Sequence, residues 1–221
     1  MVVINHEHKI TYFGLPKVAS TSIKLMFYEI EHGTEALAEL TRNRKNIHFR
    51  YPTTVAASKA ARARYPDYWK VALVRDPVKR ALSTYSNRVL QHRDLVKGRL
   101  PRVRATMLGL PLTPTPDQFF GKLRRYCLQS GSVRHHLAPQ SVFLGRDLEL
   151  YDAIYKLEDL AEFIDEISRR TGRELVLPHS QKAQSKLTLD MISASSMAAL
   201  RRFYAKDYKV LADHYALEGA S

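Results

Sequence analysis

One cysteine in 221 residues, Cys127, is too few for an intramolecular disulfide or a cysteine-rich zinc site. It fits a reducing compartment, and the plainest reading of its thiol is a small apolar group in a core. No window approaches the roughly 20 consecutive apolar residues of a membrane span. The start, MVVINHEHKITYF, has no basic stretch followed by a long apolar run. A soluble, cytoplasmic protein with no membrane span is therefore expected. No Gly/Ser-rich or Pro-rich linker and no internal repeat divides the chain, which predicts a single domain over residues 1–221. Acidic residues are in deficit, 22 against 35 Lys and Arg, for a net charge of +13 and a pI near 9.9. That excess calls for an anionic partner: nucleic acid, membrane, acidic glycan or phosphorylated cofactor.

What is present is a 45% apolar chain with alternating strand and helix signals. Residues 1–4 and 10–15 read as strands around a polar turn, and the second runs through Pro16-Lys17 into the small, hydroxylated turn 18–22 and an amphipathic segment, 23–30. A short helix is expected at 35–44, a strand end or turn at 46–49, and a helix at 53–64 closed by Pro66. Trp69 to Val74 is the clearest buried strand. Asp76 as cap and Pro77 at the first helical position then start a long helix to about Val96. Residues 97–116 look irregular and basic and 117–129 helical, followed by 130–144 with its His135-His136 and Pro139-Gln140 pairs. A further strand at 153–157 precedes a helix at 158–171 that ends at Gly172. Residues 178–186 read as a polar loop, and helices at 193–204 and 206–215 close the chain. The alternation predicts an α/β fold: a P-loop-like domain with a mostly parallel central sheet flanked by helices, its ligand beyond the carboxyl ends of the strands.

Two turns carry chemistry. The first, Pro16-Lys17-Val18-Ala19-Ser20-Thr21-Ser22, joins a strand to a helix. The first N–H groups of a helix lack partners, its dipole favours negative charge, and Lys17 stands in the approach. It lacks the G-x-x-x-x-G-K-[ST] of a nucleoside triphosphatase, and its lysine precedes the hydroxyl cluster. The plainer alternative is a strand-to-helix turn capped by a serine. The second turn places Arg75, a planar fork of donors suited to phosphate, at a strand end, with Ser83 two turns into the next helix. Read alone, Arg75 could instead pair with a nearby carboxylate.

Taken together, P-K-x-A-S-T-S and V-R-D-P-x-x-R-x-x-S-x-Y resemble the 3′-phosphoadenylyl-sulfate-dependent sulfotransferases, particularly their carbohydrate branch. The likeness continues through His136-Leu137-Ala138-Pro139-Gln140, through Tyr151-Asp152-Ala153-Ile154-Tyr155-Lys156-Leu157-Glu158, and into Tyr204-x-x-Asp207-Tyr208. It implies that Lys17, Ala19, Ser20, Thr21 and Ser22 hold the 5′-phosphosulfate and that Arg75 and Ser83 hold the 3′-phosphate. The product would be adenosine 3′,5′-bisphosphate. Lys17 would neutralise charge developing on the leaving phosphate, and no metal is needed. Lacking the membrane anchor and disulfides of Golgi members, the chain looks like a compact, bacterial-type relative.

For the base the choice is His48, because histidine is the side chain suited to proton transfer near neutrality and this one lies between the two turns, where the resemblance puts the base histidine of carbohydrate members. His136 is the alternative, or a group that orients the acceptor. Residues 135–136 are not expected to bind metal, since neighbours on a strand point apart. Glu158 either positions a basic group or pairs with Lys156 or Lys182, and Lys182 and Lys186 lie in a loop able to close over the nucleotide. The eight Lys and Arg between Lys79 and Arg104, with Arg99 and Arg102 the substrate-binding candidates, suggest a carbohydrate-like acceptor that is itself anionic. Two other classes compete: a nucleotide-dependent phosphotransferase, and a nucleic-acid binder. The second is not expected, since no recognised reading module or stacking motif is present.

Overall fold

The computed structural model describes residues 2–41, 45–51, 61, 63–97, 99–177 and 187–216. Its contacts gather into two compact units, Met1–Arg75 with Gln140–Gln181, and Asp76–Pro139 with Lys182–Ser221.

The first unit holds the sheet, in the order β1 (Val2–Asn5), β2 (Ile10–Phe13), β3 (Trp69–Val74), β4 (Ala153–Lys156). β1 and β2 form an antiparallel hairpin, and β2–β3 and β3–β4 are parallel. The mostly parallel α/β reading therefore holds. Phe13 pairs with Ala72 and Val74 with Lys156, so the chain leaves β2, β3 and β4 at one edge of the sheet. Alternation along β2 sends Tyr12 and Phe13 to opposite faces. Tyr12 stacks on Phe27 of α1 (Ser20–His32) at 5.6 Å and meets Phe163 of a later helix at 5.5 Å, while Phe13 meets Tyr151 edge-on at 5.0 Å. Each buried ring of this size is worth about 1.5–3 kcal/mol, enough to seat both helices on the sheet.

After α1 come α2 (Thr34–Thr41) and α3 (Lys45–Arg50). The strand end or turn expected at 46–49 is this helix: Ile47 is buried, while His48 and Phe49 are exposed. Four residues with one apolar anchor are too few for periodicity to separate the two forms. The expected helix at 53–64 falls mostly outside the described residues, and so does the loop at 178–186 with Lys182 and Lys186.

The second unit is helical. α4 (Pro77–Thr84) begins as its sequence indicates, with the Asp76 carboxylate accepting from the Lys79 N–H at 2.7 Å and Pro77 in the first turn. The predicted run to Val96 is cut short, because at Tyr85 the helix widens into a π-helical segment, Tyr85–Gln91. Leu82, Tyr85 and Val89 still face one core, with the Tyr85 hydroxyl donating to the Pro114 carbonyl at 2.7 Å. The stretch read as irregular, 97–116, contains a ten-residue helix, α5 (Arg99–Leu108), whose Pro101 sits in the first turn, where a missing N–H costs nothing. The helix read over 117–129 is two: α6 (Pro116–Gly121), with a Thr115–Gln118 capping box, and α7 (Leu123–Gln129). A break at Lys122 lets Phe119 and Phe120 share the core with Leu123 and Tyr126. α8 (Gly131–Leu137) follows, with the Ser130 hydroxyl capping its start.

In the first unit lies α9 (Gln140–Leu144), and α10 (Leu160–Thr171) follows β4 after a single 3-10 turn. Gly172 at φ 65° closes α10, as its position indicates. In the second unit α11 (Ala194–Phe203) starts at the Ser193 cap, and α12 (Ala205–Val210) ends sooner than the expected Tyr215. Among the described residues no helix is long and apolar enough to cross a membrane.

Candidate functional site

The first turn keeps its strand–loop–helix form, and its backbone is unusual. Lys17 and Ala19 both adopt positive φ, 70° and 55°, in a region that costs a residue with a Cβ about 1–2 kcal/mol. Alternation of this kind turns successive N–H groups toward one concavity, the arrangement that binds anions. The helix start itself has no side-chain cap, since the cap residue is Ala19 and not a serine, and no acidic residue stands in the first turn. The first intrahelical bond runs from the Ile23 N–H to the Ala19 carbonyl at 3.1 Å, so the N–H groups of Ser20, Thr21 and Ser22 precede the ladder. A serine-capped turn is thereby excluded.

The end of β3 is locked against this loop. The Arg75 guanidinium donates from Nη1 to the Lys17 carbonyl at 3.2 Å. Gln140, fully buried at the start of α9, grips the Arg75 backbone twice: Oε1 accepts its N–H at 3.1 Å and Nε2 donates to its carbonyl at 2.7 Å. Lys17 and Arg75, 58 residues apart in sequence, thus meet at the carboxyl edge of the sheet. The role of Gln140 escapes a sequence reading, although the Pro139-Gln140 pair marks it. A buried amide that satisfies both backbone groups of one residue fixes the direction in which that residue's side chain leaves the sheet.

His48 on α3 lies beside α1, with Nδ1 3.1 Å from Nζ of Lys24. Lys24 is the group most easily overlooked, yet it carries a signal: a lysine inside the apolar run Ile23-Lys24-Leu25-Met26-Phe27. It is only 1% exposed. Burial penalises the charged amine and brings its pKa down to about 8.

The other expected site residues lie in the second unit. Ser83 is half-buried on α4. His136 on α8 donates from Nδ1 to the Ser132 carbonyl at 2.8 Å, and its own carbonyl receives Arg80 Nη1 at 3.0 Å and the Thr84 hydroxyl at 3.2 Å. It is on a helix, not the strand assumed for the 135–136 pair, and the two rings meet edge-on at 5.3 Å. Arg99 opens α5, and Arg102 is exposed, with Nε donating to the Val96 carbonyl at 3.0 Å. The cations from Lys79 to Arg104 do not form one surface. Arg80 is wholly buried and Arg88 pairs with Asp94 and Ser132, whereas Arg102 and Arg104 are exposed. Cys127 is half-buried, and burial pushes its thiol up to about 11, in keeping with a packing role. In the first unit Lys156 pairs with Asp159 at 3.5 Å, and Glu158 is exposed.

A sequence model of the sulfotransferase family matches residues 1–215. No curated protein and no solved structure matches the chain.

Proposed function

We propose, on the premise that the chain belongs to the sulfotransferase family, that one catalytic domain moves a sulfuryl group from 3′-phosphoadenylyl sulfate to a hydroxyl of a carbohydrate-like acceptor. The observation that carries this reading is the helix start after β2. It has two residues at positive φ, no side-chain cap and no acid in its first turn, and the Arg75 guanidinium lies on the Lys17 carbonyl. Such a cradle fits an anionic group and disfavours a neutral one.

The donor supplies an activated sulfuryl group on a phosphosulfate. Ser20, Thr21 and Ser22, with the N–H groups of the first turn, bind its 5′ end. Arg75 and Ser83 take the 3′-phosphate. Lys17 holds its ammonium where negative charge accumulates on the leaving phosphate, a contribution of about 10²–10³ in rate for a preorganised donor of this kind. His48 takes the proton of the acceptor hydroxyl on its imidazole. His136 orients the acceptor, and Arg99 and Arg102 draw an anionic glycan.

Thermal-shift titration tests the donor assignment, since a ligand that binds the native state raises its apparent stability. Adenosine 3′,5′-bisphosphate is expected to stabilise the protein, and ATP with magnesium to do so much less. Arg75→Ala should remove the difference. Equal stabilisation by ATP and magnesium would favour a phosphotransferase instead. An anionic acceptor predicts binding that weakens as salt is added.

A further inference from the structure

Lys24 and His48 form a pair whose chemistry goes beyond the assignment of a base. Lys24 lies four residues after Ser20, so both occupy one face of α1. Further along, Glu31 accepts from the Tyr51 hydroxyl at 2.6 Å, and Arg50 Nη2 donates to His32 Nε2 at 3.1 Å. Residues 48–51 therefore run alongside α1 in its own direction, with His48 at the end nearest the anion cradle and Tyr51 farther from it. The 3.1 Å approach of Lys24 Nζ to His48 Nδ1 is thus made on the face that carries Ser20.

A neutral imidazole carries one proton, and its partner at Nδ1 decides where. An ammonium there would donate to the Nδ1 lone pair and leave the proton on Nε2, giving a ring with no lone pair at Nε2 to act as a base. A neutral amine would accept from Nδ1–H and leave the lone pair on Nε2. Burial favours the second arrangement, because it removes the water that would stabilise the charged amine.

We propose that Lys24 is a positioning residue for His48: its amine accepts the Nδ1 proton and sets the ring lone pair on Nε2, where the acceptor's proton is taken. This rests on the reading of His48 as base. Burial brings the Lys24 pKa down to about 8, so this arrangement is the one held above that pH. In the proton transfer the acceptor O–H bond breaks, an N–H bond forms at Nε2, and the electron pair stays on the acceptor oxygen. The resulting imidazolium donates Nδ1–H to Lys24 and can pass that proton to the amine, so the positive charge ends on a group already in contact with the ring.

The test is nitrogen NMR of ring-labelled histidine in the full chain without donor or acceptor, above the Lys24 titration near pH 8. His48→Gln assigns the signals. The wild type is expected to give a protonated Nδ1 and an unprotonated Nε2. Lys24→Met, nearly isosteric, should shift the ring toward the Nε2–H form and lower kcat about tenfold or more, with the Kd of adenosine 3′,5′-bisphosphate unchanged. A wild-type ring protonated on Nε2, or a tautomer that Lys24→Met does not move, would overturn the proposal. The wild-type spectrum decides even if the variant fails to fold. Failure of the underlying reading looks different: His48→Gln would retain full transfer activity, or the bisphosphate would not bind the wild type at all.

Discussion

The two strand-to-helix turns look alike in sequence and are finished in opposite ways. The start of α1 is capped by no side chain, carries no acid and bends through two positive-φ residues. The start of α4 is closed by its own Asp76, which accepts from the Lys79 N–H at 2.7 Å and from the Tyr208 hydroxyl at 2.9 Å. One helix start is left for an external anion; the other already contains one. An external anion at the second turn would therefore have to be held by side chains and not by the helix dipole. The arginines there divide similarly. Arg75 leaves the sheet edge beside the Lys17 carbonyl, whereas Arg80, five residues on, is buried with its guanidinium on the carbonyls of His136 and Ala138 and its charge over the Tyr204 ring.

That contrast can be broken by measurement. The largest expected effect is at Arg80. Arg80→Ala strands the carbonyls at the end of α8 in the core and should cost about 3 kcal/mol or more in urea unfolding, while Arg75→Ala should cost about 1 kcal/mol and act mainly on bisphosphate binding. Equal stability losses would erase the distinction.

A second test uses pH. The Lys24 pKa is about 8 when folded against 10.5 ordinarily, so between those values the unfolded chain binds the extra proton. Stability should rise with pH across that window, by roughly 3 kcal/mol at most, and little should change below pH 8 from this group. Lys24→Met should flatten the rise. Denaturant midpoints of both proteins on either side of the window provide the check.

The smaller effects bear on the two helix starts. Asp76→Ala removes a cap and a buried hydroxyl partner and should lower stability by about 1–2 kcal/mol, without the loss of bisphosphate binding expected for Arg75→Ala. Ala19→Gly relieves a positive φ and should raise the melting temperature, by about 1 kcal/mol or less in free energy, while the cradle keeps its N–H groups. Destabilisation by Ala19→Gly would mean that the bend is not strained.

The strands, the Asp76–Pro77 helix start, the Gly172 stop and the loop from Lys17 to Ser22 were legible because each depends on neighbours within a few residues. Alternation, capping oxygens and turn residues act locally, and family motifs are read along the chain. The helix at Lys45–Arg50, the switch to π-helix at Tyr85 and the division at Lys122 were not legible. Short segments are decided by the core they must reach, and Ile47, Tyr85 and Phe119 find theirs through distant partners. The same holds for the site. The sequence by itself determined the turn from Lys17 to Ser22 and the candidacy of Lys17, Arg75 and His48. Only the tertiary structure decided that Arg75 rests on the Lys17 carbonyl, that Gln140 holds its backbone, and that Lys24 meets His48. Hydrogen bonds between residues 24 to 65 positions apart are set by sheet register and helix packing, and no local pattern encodes them.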